Sequence, residues 1–346
     1  MICDPAFEHV VEAFRDGVGK GGAALAIVAD GRLVVDVWHG TRDEAGRLPW
    51  ERDTAVNVFS VSKAVLATAA HLAAQRGQLD LDAAVTAYWP EFRTDTTVAD
   101  LLAHRSGLPA IRRKLPAGSL YDWTAMTDAL AAEEPWWPPG TRHGYHAVTF
   151  GWLVGEVLRR ATGREPRELT AELGLSLGWP GPGEPAFVLP LEGAGIERLP
   201  APIAVRAFAN PADLIAPGVA NTAAWRAAQI PAANGHATAR ALADLFGRIG
   251  NLLTPTLLAE ATAPHSDGHD EVLAGPTRFG LGYMLPSGLR PYSPNPRAFG
   301  HTGAGGALVF ADPDLGIALA YTPNRLVTTP TGPDPRWTPI TDALYA

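Results

Sequence analysis

Strand-like runs stand at both ends of this chain with a long helical stretch between them, so a single sheet has to be assembled from the two ends. Near the start, Ala24 to Ala29 and Arg32 to Trp38 are apolar runs joined by Asp30-Gly31, a dipeptide suited to a tight type I′ turn. Near the end, Phe279 to Met284, Ala307 to Ala311 and Gly316 to Thr322 read as strands, the last two joined by Asp312-Pro313-Asp314. Ahead of the first hairpin, Asp4 as cap and Pro5 at the first helical position open a helix whose Phe7, Val10, Val11 and Phe14 recur at helical spacing and which ends near Gly17. From Leu79 to Leu245 helical signals such as Val98 to Ala103, Thr124 to Ala132 and Ala147 to Ala161 alternate with Pro/Gly loops. The stretch from Gly181 to Pro217 is rich in Pro, Gly and Ala and reads as an irregular excursion over the surface.

Composition removes several classes of function. The 346 residues suit one large unit or two intimately packed domains, and 47% hydrophobic with 18% charged residues describes an ordinary globular chain. Net charge is −8 and no basic run exceeds Arg112-Arg113-Lys114, which leaves no electrostatic footprint for nucleic acid. No apolar run approaches the roughly 20 residues that span a bilayer, so no membrane partner is expected. The single cysteine, Cys3, cannot form an internal disulfide, and the first residues lack the basic and apolar regions of a signal peptide. The expected location is cytoplasmic.

Candidate chemistry begins at Ser60-Val61-Ser62-Lys63, which opens an Ala- and Leu-rich segment that stops at Gly77. Residues three apart on a helix share a face, which places the Lys63 amine beside the Ser60 hydroxyl. The helix N-terminus favours negative charge on the serine oxygen, and burial lowers a lysine pKa until the amine can act as a base. An isolated S-x-x-K is usually only a capped helix start. Here lysine is scarce, with three against 25 arginines, no other serine has a lysine at plus three, and the flanks Val58-Phe59 and Ala64-Val65-Leu66 are apolar.

Two further segments can complete such a site. Tyr145 follows Trp136-Trp137-Pro138-Pro139-Gly140 just before a helical pattern, and its phenol could shuttle a proton if neighbouring cations lower its pKa. The alternative is a tyrosine that anchors its loop on the core. The run Phe299-Gly300-His301-Thr302-Gly303-Ala304-Gly305-Gly306 precedes a strand, and its glycines would let an Ala304 N–H approach a ligand as part of an oxyanion hole. Taken alone, it could equally be a hairpin loop.

The ordered set S-V-S-K, Leu101-Leu102-Ala103-His104-Arg105-Ser106-Gly107-Leu108, P-P-G-T-R-H-G-Y-H-A and H-T-G resembles the serine β-lactamase-like superfamily of class C β-lactamases, penicillin-binding proteins and family VIII carboxylesterases. The likeness runs from the Asp30-Gly31 hairpin to Asn324-Arg325 and is closest to the esterase-like branch. It implies an α+β, β-lactamase-like fold: an antiparallel sheet from both chain ends flanked by terminal helices, with a mostly helical inserted domain. The implied division is 1–60 with 240–346 as a discontinuous α/β domain and 61–239 as the helical one, the active site lying between them. The implied roles are Ser60 as nucleophile, Lys63 and Tyr145 as proton carriers, and the N–H groups of Ser60 and Ala304 as the oxyanion hole. His146, His301, Thr302, Gly303 and Trp137 would line the substrate site, with no metal and no cofactor.

Two departures narrow the substrate. The family's Tyr-x-Asn is Tyr145-His146-Ala147, so an amide that would bind a peptide or β-lactam side chain is missing. The Lys-Thr-Gly of penicillin-interacting enzymes is His301-Thr302-Gly303, which removes a fixed charge that would pair with a carboxylate. Both point to a carboxylesterase acting on small neutral esters. Alternatives are an acyltransferase that passes the acyl group to an alcohol or amine, a β-lactamase or DD-peptidase, and a non-catalytic binder.

Other patterns read as decoys. Gly174-Leu175-Ser176-Leu177-Gly178 matches G-x-S-x-G, but a helical pattern precedes it where a nucleophile elbow needs a strand. His265, Asp267, His269 and Asp270 read as a polar loop whose spacing fits no closed zinc site. His104 and His236 read as structural histidines, and Trp136 and Trp152 as core or pocket wall.

Overall fold

The computed structural model describes residues 1–181, 183–190, 202–327 and 334–346. Its main sheet draws on both ends of the chain: β1 (Ile2–Cys3), β2 (Gly22–Ala29) and β3 (Arg32–Gly40) from the start, β9 (Phe299–Thr302), β10 (Leu308–Asp312) and β11 (Ile317–Pro323) from the end. The order is β1-β3-β2-β11-β10-β9, antiparallel throughout. Asp30 and Gly31 both take positive φ, 48° and 73°, as the primed turn between β2 and β3 requires.

β2 reads GAALAIVA without polar alternation because both faces of the sheet are covered. Ala23, Leu25 and Ile27 share a core with Val10, Val11 and Phe14 of α1 (Glu8–Val18), and with Trp337 and Ile340 of the C-terminal helix (Trp337–Tyr345). Ala24, Ala26 and Val28 belong to a second core with Leu242, Leu245 and Phe246 of the helix Ala239–Gly247 on the opposite face. Alternate side chains of one strand point to opposite faces, so each core receives every second residue. Asp4 caps the first turn by accepting the Ala6 N–H, as expected, but Pro5–Phe7 is a 3₁₀ turn and the α-helix starts at Glu8.

Between the strands at the two ends, β4 (Val56–Asn57) leads into α2 (Val61–Gln75), then α3 (Val98–Leu102), α4 (Trp123–Ala131), α5 (Thr149–Thr162), α6 (Pro166–Ala171) and β5 (Ser176–Leu177). α7 (Pro202–Ala209), α8 (Ala223–Ala227) and β6 (Gly235–Ala237) follow, then α9 (Ala239–Gly247), α10 (Ile249–Leu252), α11 (Pro255–Thr262), β7 (Ser266–His269) and β8 (Pro276–Phe279), with α12 (Trp337–Tyr345) last. β4, β6 and β5 form a small antiparallel sheet. α2 is buried on almost every side, as a helix apolar all round must be.

Three expectations are corrected. The Gly181–Pro217 excursion contains α7, because Ala204 and Ala207 lie one turn apart and both are buried; residues 182 and 191–201 of that stretch lie outside the described residues. The strand expected at Phe279 to Met284 ends at Phe279, since Gly282 at φ 85° turns the chain and Met284 bridges back to Phe279. Within the polar loop expected around His265 to Asp270, Ser266–His269 form β7, paired antiparallel with β8, and Asp270 begins the turn between them.

Candidate active site

The strand-to-helix corner after β4 presents Ser60. Val58 donates its N–H to Gly235 O at 2.8 Å, and the buried Ser62 hydroxyl donates to Phe59 O and accepts the Gly235 N–H at 3.1 Å. These bonds hold Phe59 at φ 48°, a left-handed conformation that costs a non-glycine residue about 1–2 kcal/mol. The chain then enters α2 with Ser60 as its cap.

Lys63 lies one turn into α2, fully buried, with Nζ donating to Ser60 Oγ at 3.0 Å and to Ala232 O at 3.0 Å. The same nitrogen stands 4.8 Å from the centre of the Tyr145 ring. No ion pair reaches Lys63 among the described residues, and burial pushes its amine well below the ordinary lysine range.

Tyr145 is fixed by its backbone and its ring. Its N–H is held by both carboxylate oxygens of Asp270 at 3.1 Å, and its ring stacks on Phe279 at 5.9 Å with His104, His301 and Phe208 around it. Burial raises the phenol above its ordinary value, against a hydrogen bond with Ser60 and the charge of Arg290, which lower it. The expectation that cations would lower this pKa is therefore corrected: desolvation outweighs them. Burial thus moves the two groups in opposite directions, the Lys63 amine down and the Tyr145 phenol up, each toward its neutral form.

The loop that carries Tyr145 is tied on both flanks. Trp136 N donates to Gly107 O at 2.7 Å and Gly144 N to His104 O at 3.1 Å, while His143 Nε2 meets Thr277 Oγ1 at 2.9 Å. Trp137 is buried, and its indole N–H closes the loop on Arg142 O at 3.1 Å. His146 is buried with both ring nitrogens engaged, by Ser106 Oγ at 2.8 Å and Gly144 O at 2.6 Å, and burial brings its pKa to about 3. His104 accepts the His146 N–H and packs on Phe279; His236 bonds Asn234 O. Trp136 packs under the Arg112 guanidinium and Trp152 is core.

β9 supplies the third wall. His301 is buried, its Nδ1 meets Thr302 O at 2.6 Å, and its Nε2 has no hydrogen-bond partner among the described residues. Burial first, then the Lys63 charge, bring its pKa to about 3. Thr302 Oγ1 contacts Met284 Sδ at 3.5 Å. A Cβ on Gly303 would collide with Val58 O, so the loop runs directly against the corner that presents Ser60. The N–H groups of Ser60 and Ala304 have no carbonyl partner among the described residues.

Several residues escaped the sequence reading. Asp270 is fully buried and also accepts from Val272 N, Leu273 N and Thr277 Oγ1, which only the β7–β8 turn could reveal. Arg290 has no ion pair among the described residues, donates to Leu289 O at 2.7 Å, and its charge acts on Tyr145 and His301. Phe208, on α7, has its ring centre 6.5 Å from that of Tyr145. Ser176 of the G-x-S-x-G match lies within β5 itself, and the next helix among the described residues, α7, begins only at Pro202.

Comparison with known proteins places this geometry among relatives. The Beta-lactamase family model matches residues 7–338. The chain is 37% identical to Esterase/beta-lactamase LipL of Mycobacterium tuberculosis over an alignment of 373 positions that covers 94% of this chain and 82% of that protein. It is similar to the crystal structure of a family VIII carboxylesterase (TM-score 0.89, 34% identity, 100% of this chain and 98% of the other). A penicillin-binding protein homolog from Caulobacter crescentus is equally similar (TM-score 0.91, 34% identity, 100% and 98%).

Proposed function

As the chain belongs to the Beta-lactamase family, we propose that it is a serine carboxylesterase that cleaves small neutral esters through an acyl-enzyme on Ser60. The observation that supports this most is the buried Lys63 amine, which lies 3.0 Å from the Ser60 hydroxyl and is pushed below the ordinary lysine range by burial, a nucleophile with a base already in reach. The relatives described as an esterase and a family VIII carboxylesterase agree with an ester substrate.

On this reading Lys63 takes the Ser60 proton as Oγ attacks the ester carbonyl carbon. The resulting oxyanion lies between the Ser60 and Ala304 N–H groups. The C–O bond to the alcohol then breaks, and the leaving oxygen takes the Tyr145 proton. Arg290 steadies the phenolate until it recovers the proton that Lys63 removed. Water, deprotonated by the same pair, attacks the acyl carbon, and Ser60 leaves with a proton. His301, Thr302 and Gly303 border the substrate, and Trp137 and His146 support the loop behind Tyr145. The site lies between a unit of 1–60 with 240–346 and a mainly helical unit of 61–239. No helix among the described residues is long and apolar enough to cross a membrane.

A panel of p-nitrophenyl esters of increasing acyl length tests this, with intact-protein mass spectrometry to detect the acyl adduct. Wild type and Ser176→Ala should turn over esters and carry the adduct, and Ser60→Ala should do neither. Rapid cephalosporin turnover would overturn the neutral-ester assignment. Faster decay of the adduct on an added amine than in water would favour acyl transfer.

A further inference from the structure

The loop Gly303–Gly306 contains two glycines in left-handed conformations, Gly305 at φ 78° and Gly306 at φ 108°. Such a segment wanders when it is free, whereas an oxyanion donor acts only if it is held before the reaction begins. Bonds from within the loop are few: Gly303 N to Ala307 O at 2.7 Å and Gly306 N to Gly303 O at 3.1 Å. Further hydrogen bonds to the loop come from the segment that starts α12.

Arg336 is buried and lies in a fork with Asp334, Nε to Oδ1 at 2.9 Å and Nη2 to Oδ2 at 2.6 Å. Its Nη2 also donates to Gly305 O, and its Nη1 donates to Arg325 O at 2.9 Å. The neighbouring Trp337 indole N–H donates to Gly306 O at 2.7 Å. Two successive carbonyls of the loop are thus held by the start of α12, while Gly303 packs against Ser60's corner. A Cβ on Gly306 would collide with both the guanidinium and the Asp334 carboxylate, so the glycine is what admits the clamp. Only a planar guanidinium reaches a carboxylate and two carbonyls in fixed directions.

We propose that Arg336, oriented by Asp334 and assisted by Trp337, is a positioning residue for the oxyanion hole: it fixes the Gly305 and Gly306 peptide planes so that the Ala304 N–H is set before substrate arrives. This rests on the assignment of Ser60 and Ala304 as oxyanion donors.

The test compares an oxoester with its thionoester, whose larger sulfur fits a rigid oxyanion hole poorly. Wild type should prefer the oxoester strongly. Trp337→Phe keeps an aromatic ring while deleting one bond to the loop, and Arg336→Lys keeps charge while deleting the fork. In each folded variant kcat on the oxoester should fall about 10- to 100-fold with KM within about twofold, and the oxo-to-thiono ratio should fall about tenfold. A merely structural role would slow both substrates alike and leave the ratio at its wild-type value, and that result overturns the clamp. If Arg336→Lys does not fold, Trp337→Phe decides alone. Absence of oxoester preference in wild type would instead show that the Ser60 and Ala304 assignment is wrong, and the clamp would fall with it.

Discussion

Both carboxylate oxygens of Asp270 accept the backbone N–H of Tyr145, each at 3.1 Å. The same carboxylate accepts from Val272 N, Leu273 N and Thr277 Oγ1, so one buried group joins the β7–β8 turn to the loop of the candidate acid. Asp270→Asn exchanges an acceptor oxygen for an NH₂ facing donors. It should lower stability by about 1–3 kcal/mol and reduce kcat toward the level of Tyr145→Phe. Urea midpoints and kcat measured on the same preparations check both parts.

The pH dependence should come from Lys63 and not from His146 or His301, which burial brings down to about 3. The Lys63 amine is pushed below its ordinary value and the Tyr145 phenol above its own. kcat/KM should therefore rise with pH through the depressed lysine pKa to a plateau, falling again only where the phenol ionises. Lys63→Arg supplies a cation that never deprotonates and should reduce kcat/KM by at least about 10³-fold, within the range in which a serine and its base act as a unit. A pH profile with a limb near 6 to 7 that survives in Lys63→Arg would point to a different base.

Stability carries the same sign. Between the depressed folded pKa of Lys63 and its ordinary unfolded value, the unfolded chain holds the extra proton. Stability should therefore increase as pH rises through that window and be lowest on its acid side. Lys63→Met removes the proton-binding difference and should flatten this rise, an outcome read from denaturant midpoints across the window.

Phe59 takes φ 48° immediately before Ser60. Comparing Phe59→Gly with Phe59→Ala removes the ring in both and isolates the backbone. Glycine should be the more stable of the two by about 1 kcal/mol, the reverse of their order in a helix. Equal midpoints would show that the conformation is not strained.

Phe208 is half-buried with its ring 6.5 Å from that of Tyr145. Shortening it to alanine should open room beside the phenol. Bulkier acyl groups should then gain roughly tenfold in kcat/KM relative to acetyl, within the range for a change in apolar pocket size. An unaltered profile across the ester series would place the acyl group elsewhere.

Much of this architecture was legible because local chemistry and global fold agree. The Asp30-Gly31 turn, the Gly77 stop of α2 and the Asp312-Pro313-Asp314 turn stand where their turn chemistry put them. Ser60 and Lys63 meet at 3.0 Å because helical spacing is a local rule, whereas Ala232 and Gly235, which hold the amine and the corner, come from far along the chain. What the sequence did not reveal depends on tertiary contact. Asp270 was hidden inside a polar cluster, because only β7 and β8 pairing turns its carboxylate inward. The phenol pKa was misjudged because burial, which no local pattern reports, outweighs the charge of Arg290. α7 went unseen because its apolar positions lie in a Pro/Gly/Ala-rich background that blurs periodicity.

β2 and β11 are neighbours in space though Gly22 and Asn324, bonded at 2.9 Å, are 302 positions apart in the chain. During synthesis β2 waits with an open edge in what becomes the middle of the sheet until β11 leaves the ribosome. Ser60 and Lys63 are made early, yet the Ala304 loop that would complete the site arrives only with the same late strands. The growing chain therefore holds the proposed nucleophile and base but no assembled cleft, and hydrolysis should switch on with closure of the sheet and not with growth of the polypeptide. Loop closure over such a separation is slow, so appearance of activity on refolding should coincide with the slowest phase of sheet formation.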